Sequence, residues 1–409
     1  MDRVACLFCR KEFPHDLFSL FCPDCAEPLV LAPRRRAAAP AFHTGKAHPL
    51  EVYGDFLPLE TFDARLSLGE GNTPLVQLRE IGRRLGLASL YAKNEAQNPT
   101  GSFKDRGTAV AVQKAVSLGF RVIGTVSTGN MAASTAAYGA RAGLETVVLL
   151  KEGTSPTSVR AAAIFGPSLV QVRGDYGRLF YDSLRIGRTL GIYFMNSIDP
   201  FRIEGYKVTG FEVFARLGGQ APTHIIVPLS SGGHFLGLLR AFEDLERAGF
   251  LTAFPTFVGV QAEGCAPLAR AFDAGLERYE RLAAARTAAH AISNPAPPAG
   301  NAVLKVVRDH KGLIVAVSDD EMAVGQRELA AEEGLFCQPE SAVTLAALAK
   351  LRIGRRIPDE SRVVLVLTGS GLKAPHALDS VPLEVAEAGL DEVEEKLGAL
   401  GKRRSKSGA

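Results

Sequence analysis

The segment around Lys104 has the residue types that carbonyl chemistry needs. It runs Asn98-Pro-Thr-Gly-Ser-Phe-Lys-Asp-Arg-Gly107, and small and aliphatic residues follow it. Proline and glycine in its first half predict a turn, and the following run predicts a largely buried helix. An amine at such a junction loses hydration, which lowers its pKa and makes it a better nucleophile towards a carbonyl carbon. Most lysines are solvated, so this interpretation depends on loops elsewhere in the chain.

Three further loops carry groups that suit a ligand. Ser127-Thr-Gly-Asn130 offers hydroxyls and amides to an anion such as a carboxylate, although an ordinary helix cap has the same composition. Ser230-Ser-Gly-Gly-His234 has paired glycines before a predicted helix, which suits a single phosphate. His234 is either a further phosphate donor or a polar residue at a helix start. Thr368 leaves a buried strand beside a glycine, so it either faces a ligand ring or is satisfied by the backbone.

The elements that must position these loops alternate between residues 50 and 385. Short aliphatic runs predict strands, and Ala-rich segments between them, such as 131–142 and 322–334, predict helices. The predicted strands lie at 90–93, 122–126, 146–150, 169–172, 224–227, 256–260 and 363–367. Unbroken aliphatic strands alternating with helices are typical of parallel sheets covered on both faces, so the predicted fold class is α/β with two such layers.

Ligands in open parallel sheets bind at the carboxyl ends of the strands, so we expect the four loops to converge. A loop lysine, an anion site, a monophosphate site and a hydroxyl facing a ring together describe a pyridoxal phosphate site. In such a site the cofactor aldehyde binds the lysine, and the protein supplies orientation and electrostatics.

Four of the six cysteines form two spaced pairs near the N-terminus. Cys6 and Cys9, then Cys22 and Cys25, place four thiolates where one tetrahedral metal ion could hold them. Disulfides and a redox Cys-x-x-Cys are the alternatives. A chain without an export signal disfavours disulfides, and redox motifs do not usually occur as spaced pairs. We therefore expect a structural Zn²⁺ site in a segment too short to fold by hydrophobic burial alone.

The bulk composition restricts the class of partner. The chain has 409 residues, 46% hydrophobic and 22% charged, with a net charge of +3 from 47 basic and 44 acidic residues. This balance gives no reason to expect a nucleic-acid or membrane partner. No apolar run reaches the roughly 18 residues of a membrane span, and the first residues lack the apolar core of a signal peptide. We expect a cytoplasmic protein.

The composition along the chain predicts four regions. Residues 1–33 form the cysteine module, and 34–49 form a linker that contains three adjacent arginines. Residues 50–385 form the catalytic unit, in which a smaller subdomain of roughly 95–205 is inserted in a larger one. Residues 386–409 form a C-terminal helix and a basic tail.

Nearly the whole chain resembles the threonine synthase branch of the fold-type II pyridoxal-phosphate enzymes. The 98–107 segment is highly specific for that branch, and an N-terminal cysteine ribbon also occurs in it. The remaining matches are Glu70-Gly-Asn-Thr-Pro-Leu75, Ser127-Thr-Gly-Asn130, Asn196-Ser-Ile-Asp-Pro-Phe-Arg202 and Leu367-Thr-Gly-Ser-Gly-Leu-Lys373.

The resemblance implies a role for each matching residue. Lys104 would form the Schiff base with pyridoxal 5′-phosphate and later shuttle protons, with Phe103 packed by the ring. Asn130 would bond the 3′-oxygen, Thr368 would meet the pyridine nitrogen, and the phosphate would bind Ser230, Ser231, Gly232, Gly233 and His234. The substrate, a phosphorylated amino acid, would meet Ser127 and Thr128, while its phosphate would bind Asn196, Ser197 and Arg202. A homodimer is also implied.

The sequence departs from the branch pattern on the substrate side. Met131 stands where threonine is familiar, and Leu229-Ser-Ser-Gly-Gly-His234 replaces a loop of the Val-Gly-Asn-Ala-Gly-Asn type. Glu204-Gly-Tyr-Lys207 replaces Glu-Gly-Gln-Lys, Tyr176-Gly-Arg178 replaces Phe-Asp-Asp, and Ser370 replaces histidine or asparagine. The leading hypothesis is therefore threonine synthesis from O-phospho-L-homoserine. β-Elimination or β-replacement on O-phosphoserine, serine or threonine and a non-catalytic, cofactor-binding paralogue are the alternatives. Arg202 would have a structural role instead if it paired with Asp199 or Glu204.

Overall fold

The computed structural model describes residues 2–33, 47–379, 381, 383 and 385–398. Most of the predicted linker and the basic tail that ends in Lys402-Arg-Arg-Ser-Lys406 lie outside these residues. The chain divides into two compact units, 1–374 and 375–409.

The first unit contains thirteen strands among its described residues. They are β1 Arg3–Cys6, β2 Glu12–Pro14, β3 Leu29–Leu31, β4 Leu75–Gln77, β5 Ser89–Asn94, β6 Val122–Val126, β7 Glu145–Lys151, β8 Ser168–Val172, β9 Ile192–Phe194, β10 His224–Pro228, β11 Thr256–Ala262, β12 Leu313–Val317 and β13 Arg362–Leu367.

Twelve α-helices accompany these strands in the same described residues. They are α1 Pro49–Val52, α2 Arg79–Leu85, α3 Lys104–Ser117, α4 Asn130–Ala142, α5 Pro156–Ala163, α6 Tyr176–Leu190, α7 Pro200–Arg216, α8 Gly233–Arg247, α9 Pro267–Asp273, α10 Gly300–Asp309, α11 Asp319–Glu333 and α12 Pro339–Ile353. Short 3₁₀ turns occur at Gly54–Phe56, Ala64–Leu66, Glu95–Gln97, His290–Ile292 and Gly371–Lys373.

Two sheets confirm the predicted α/β class. One has six strands in the order β12-β11-β10-β13-β5-β4, and the other has four in the order β8-β7-β6-β9. Every neighbouring pair is parallel except β4 and β5. All seven predicted strands are present. The prediction missed β4, β9 and β12, since two have only three residues and the third has a half-buried pattern.

The buried central strands explain why the aliphatic runs are unbroken. In β13 five of six residues are buried, and in β10 four of five, because helices cover both faces of the sheet. Helix α7 is buried from Pro200 to Phe214, which makes it a core helix rather than a surface one.

The cysteine module is a three-stranded antiparallel sheet in the order β2-β1-β3. Its own buried apolar side chains are few, and they include Val4, Leu20 and Val30. The module also packs on the rest of its unit: Arg240 Nη2 donates to the Leu31 carbonyl at 2.7 Å, and the His15 ring lies 5.0 Å edge-on from that of Phe201.

The second unit has 3₁₀ turns at Pro375–Leu378 and Leu390–Glu392, and residues 393–398 are helical. The helix predicted from 386 therefore starts later, after Gly389, whose type disfavours a helix interior. No helix in the described residues is both long enough and apolar enough to cross a membrane.

Candidate active site

Lys104 is the first residue of α3, at the end of the predicted turn. Its half-buried side chain places Nζ 4.2 Å from the centroid of the Phe103 ring. Burial, followed by the positive charge of Arg202, lowers the pKa of the Lys104 amine to about 7. A substantial fraction of this amine is therefore neutral near pH 7, and the neutral form is the one that attacks a carbonyl.

The loop before Lys104 is joined to the loop after β13. The Phe103 amide donates to the Thr368 carbonyl at 3.0 Å, and Ser102 forms an isolated bridge with Gly369. Thr368 is buried, and its hydroxyl lies 3.0 Å from that of Ser341, a residue that the sequence interpretation did not select. The two loops thus converge as the strand-end argument predicts.

The segment 230–234 forms the entry to α8. Gly232 has a φ of +96°, which favours glycine, and a Cβ on Gly233 would lie 2.2 Å from the Ser197 carbonyl oxygen. Ser230 and Ser231 are half-buried, and the Ser231 hydroxyl accepts from Asn294 Nδ2 at 3.2 Å. A tight glycine turn at the start of a 15-residue helix presents backbone amides that can bind a phosphate.

His234 packs its ring on Phe103, with the two centroids 3.8 Å apart and the planes 25° from parallel. Its side chain is buried, and neither ring nitrogen has a hydrogen-bond partner among the described residues. Burial, followed by the charges of Lys104 and Arg106, holds the pKa of His234 well below its usual value. A neutral ring at the start of α8 retains one N–H donor for a ligand.

The segment 127–130 precedes and opens α4. Ser127, Thr128 and Asn130 are all half-buried, and Asn130 Nδ2 donates to Gln338 Oε1 at 2.7 Å. Gln338 in turn donates its backbone amide to the Gly369 carbonyl at 2.9 Å. Asn130 is therefore tied to the Thr368 loop through Gln338, which sequence reasoning did not identify.

Asn196 is fully buried, and the protein uses both ends of its amide. Its Oδ1 accepts from the Val126 backbone at 2.9 Å, and its Nδ2 donates to the Ser183 hydroxyl at 2.9 Å. The residue therefore joins the end of β6 to α6. Its neighbour Ser197 is half-buried and lies against Gly233, which brings it to the 230–234 turn.

Arg202 is fully buried at the start of α7, yet no carboxylate pairs with it among the described residues. Its Nε donates to the Tyr206 hydroxyl at 3.4 Å, and its Nη2 lies 3.5 Å from the Lys104 carbonyl. Its Nη1 has no partner in the same part of the chain. A buried guanidinium with free donors beside Lys104 can bind an anion.

The two carboxylates that could have neutralised Arg202 are engaged elsewhere. Asp199 caps α7 by accepting from the backbone amides of Phe201 and Arg202, and Tyr193 Oη donates to it at 2.6 Å. Burial raises the pKa of Asp199 to about 6. Glu204 pairs with Lys207 at 2.5 Å and with Arg240 at 3.2 Å. The structural alternative for Arg202, an ion pair with Asp199 or Glu204, is therefore excluded.

A buried ionic cluster lies behind the lysine loop. Arg106 binds Glu95 at 2.5 Å and Glu212 at 2.7 Å, and Lys93 binds Glu212 at 2.5 Å. Asn98 Nδ2 donates to Glu95 Oε2 at 2.9 Å, so the cluster also holds the start of the loop. Its two cations balance its two carboxylates, as burial requires.

The four cysteines of the N-terminal module form a second candidate site. Their sulfur atoms lie within 4.8 Å of one another, with Cys6 and Cys25 at 3.5 Å and Cys9 and Cys22 at 3.6 Å. Four thiols grouped at these separations can bind one metal ion as thiolates.

The sequence profile of the family described as "Pyridoxal-phosphate dependent enzyme" matches residues 66–369. A threonine synthase of Methanocaldococcus jannaschii is 38% identical over 326 residues, covering 80% of this chain and 80% of that protein. One of Methanosarcina acetivorans is 33% identical over 406 residues, covering 97% and 99%. Among solved structures, a threonine deaminase from the organism abbreviated T.th. superposes with a TM-score of 0.60 at 26% identity, covering 73% of this chain and 92% of that one.

Proposed function

We propose that this chain, which belongs to the pyridoxal-phosphate dependent enzymes and within them to the threonine synthases, converts O-phospho-L-homoserine and water into L-threonine and phosphate. The reaction would make it a carbon–oxygen lyase that acts on a phosphate. The observation that carries the proposal is Arg202, a fully buried guanidinium without a carboxylate partner among the described residues, whose Nη2 lies 3.5 Å from the Lys104 carbonyl. A substrate that brings its own phosphate would supply the missing negative charge.

The residues present fit pyridoxal 5′-phosphate. Lys104 offers a buried amine of lowered pKa, and the Gly232–Gly233 turn offers a close approach to backbone amides. The unpartnered ring nitrogens of His234 provide a further donor for the cofactor phosphate. Asn130 and Thr368 would meet the ring oxygen and the ring nitrogen, and Phe103 would pack beside the ring. When bound, the cofactor withdraws electrons from the Cα atom of an attached amino acid.

Lys104 would carry the protons in this reaction. Once the substrate amine has displaced it from the cofactor, its own amine is free to take the proton from Cα. A base with a pKa near the working pH is suited both to accept this proton and to return it. Loss of a second proton from Cβ would let phosphate leave from Cγ, and water would then add at Cβ.

The substrate groups would be shared between two helix entries. Ser127 and Thr128, at the start of α4, would bind the carboxylate through hydroxyls and backbone amides. Arg202 and Ser197 would bind the phosphate. We assign Asn196 a positioning role beside them, because the protein already uses both ends of its buried amide.

One observation favours a second candidate. Met131, which is buried at the start of α4, has no hydroxyl where threonine is familiar in this branch. A site that loses a substrate hydrogen bond can change its selectivity by orders of magnitude. β-Elimination or β-replacement on O-phosphoserine, serine or threonine would use the same lysine and cofactor. Product analysis separates the two: O-phospho-L-homoserine should give threonine and phosphate in equal amounts, whereas a keto acid and ammonia as the only products would refute threonine synthesis.

Three further assignments belong to the proposal. We assign the Cys6, Cys9, Cys22 and Cys25 site to a structural Zn²⁺ ion, because four thiolates at tetrahedral spacing are its usual ligands. The chain would act as a homodimer, as its resemblance implies. It would work in the cytoplasm on a small-molecule substrate.

A further inference from the structure

Tyr206 occupies a place that three helices build around it. It lies on α7 with 1% of its surface exposed. A Cβ on Gly107 of α3 would lie 2.6 Å from its ring, and a Cβ on Gly237 of α8 would lie 2.6 Å from its own Cβ. Any larger residue at either glycine would fill the space that the tyrosine takes, so both neighbouring helices are shaped to accept it.

The Tyr206 hydroxyl is one of only two groups, among the described residues, that hold the guanidinium of Arg202. It accepts from Nε at 3.4 Å, while the Lys104 carbonyl lies 3.5 Å from Nη2. A buried arginine is usually oriented by carboxylates, and here Asp199 and Glu204 are used elsewhere. The plane of the guanidinium therefore depends on the tyrosine hydroxyl to an unusual degree.

The ring of Tyr206 links Arg202 to the entry of α8. Its centroid lies 5.2 Å from that of Phe103 and 5.4 Å from that of His234. Tyrosine and histidine at these two positions are both departures from the branch pattern, and the structure brings them into one aromatic cluster around Phe103. The two departures are thus parts of a single packing arrangement rather than independent changes.

We propose that Tyr206 is a positioning residue that orients the Arg202 guanidinium for the phosphate group of the substrate, an inference that rests on the proposed function. The hydroxyl holds Nε, the aromatic cluster fixes the hydroxyl, and the Nη1 donors stay free of protein partners for the incoming anion. Tyr206 thereby contributes to the selection of phosphorylated amino acids over unphosphorylated ones.

The test compares Tyr206→Phe with the wild type, both loaded with cofactor, by titration with inorganic phosphate in a calorimeter. Loss of one hydrogen bond to a charged donor should weaken phosphate binding about tenfold. The kcat/KM for O-phospho-L-homoserine should fall by a similar factor. Binding of L-threonine, which carries no phosphate, should stay within about twofold. Tyr53→Phe serves as the matched control, because Tyr53 is also buried and packs on Phe211 of the same helix at 5.3 Å.

Three outcomes would overturn the inference: unchanged phosphate affinity in Tyr206→Phe, an equal loss of threonine and phosphate binding, or failure of the variant to fold. The last would show that the hydroxyl is needed for helix packing itself. A wild-type protein that binds phosphate but makes no threonine would refute the proposed function alone, because the phosphate titration tests Tyr206 without turnover.

Discussion

Replacing Arg202 by methionine should separate substrate binding from stability. The guanidinium has five N–H donors, of which the Tyr206 hydroxyl and the Lys104 carbonyl take one each. The two donors on Nη1 have no partner among the described residues. If a substrate phosphate takes both, two charge-assisted hydrogen bonds of about 1.5–3 kcal/mol each are lost in the variant. The kcat/KM for O-phospho-L-homoserine should therefore fall roughly 10²- to 10⁴-fold.

The same variant should not lose stability. Methionine has a similar length and no charge, so Arg202→Met removes a buried cation that no carboxylate compensates among the described residues. The free energy of unfolding of the cofactor-free protein, measured in urea, should stay the same or rise. Arg106→Met is the matched control, because Arg106 is equally buried but binds Glu95 and Glu212. Breaking that cluster should cost about 3–5 kcal/mol.

The reasoning would be refuted by the opposite pattern. A destabilisation of Arg202→Met as large as that of Arg106→Met, with an unchanged KM for the phosphorylated substrate, would make Arg202 a structural arginine. Phosphate release and urea unfolding, measured on the same preparations, decide between the two.

Three further predictions concern the lysine and the metal. Lys104→Ala should abolish turnover and the visible absorption of covalently bound cofactor, and borohydride reduction of the wild type should fix the cofactor to the peptide containing Lys104; a label on another lysine would refute the assignment. Since burial lowers the pKa of Lys104 to about 7, its neutral fraction grows as the pH rises through that value. The rate at which apoprotein captures pyridoxal phosphate should therefore rise up to about pH 7 and level off above it, and a rise that continues towards pH 10 would contradict the lowered pKa. Cys6→Ser/Cys22→Ser should lose one equivalent of zinc and lower the melting temperature while keeping the cofactor absorption; a variant that stays folded but loses that absorption would show that the module does more than stabilise.

The strands and their end loops could be predicted because burial on both faces leaves a simple pattern. The aliphatic runs of β10 and β13 need no knowledge of their neighbours, and the loops that follow them carry glycine and hydroxyl residues at the helix entries. The three-residue β4 and β9 are too short to show any period, so no pattern could reveal them.

The environment of each polar group could not be predicted in the same way. Asn196 and Arg202 lie six residues apart in one matching segment, yet the structure buries the amide in protein contacts and leaves guanidinium donors free. The partners that decide this, Val126 and Ser183 for the amide and Tyr206 for the guanidinium, come from three different helices or strands. Such pairings depend on how the elements pack, and a single sequence does not encode them locally.

The ionic cluster behind the lysine loop illustrates the same limit. Glu212 lies 106 residues from Arg106 and 119 from Lys93 along the chain. Charged residues of these types are usually solvated, so nothing in their local sequence distinguishes them from surface residues. Only the crossing of α3 and α7, where a Cβ on Gly205 would lie 2.3 Å from the Arg106 carbonyl oxygen, brings them together.

The most direct test of the proposed reaction is turnover of O-phospho-L-homoserine in water enriched in ¹⁸O. Elimination breaks the bond between Cγ and oxygen, and water then adds at Cβ. The label should therefore appear in the hydroxyl group of threonine, and the released phosphate should carry none. Label in the phosphate with homoserine as the product would mean hydrolysis at phosphorus, and an unlabelled keto acid or no product at all would equally contradict threonine synthesis by this chain.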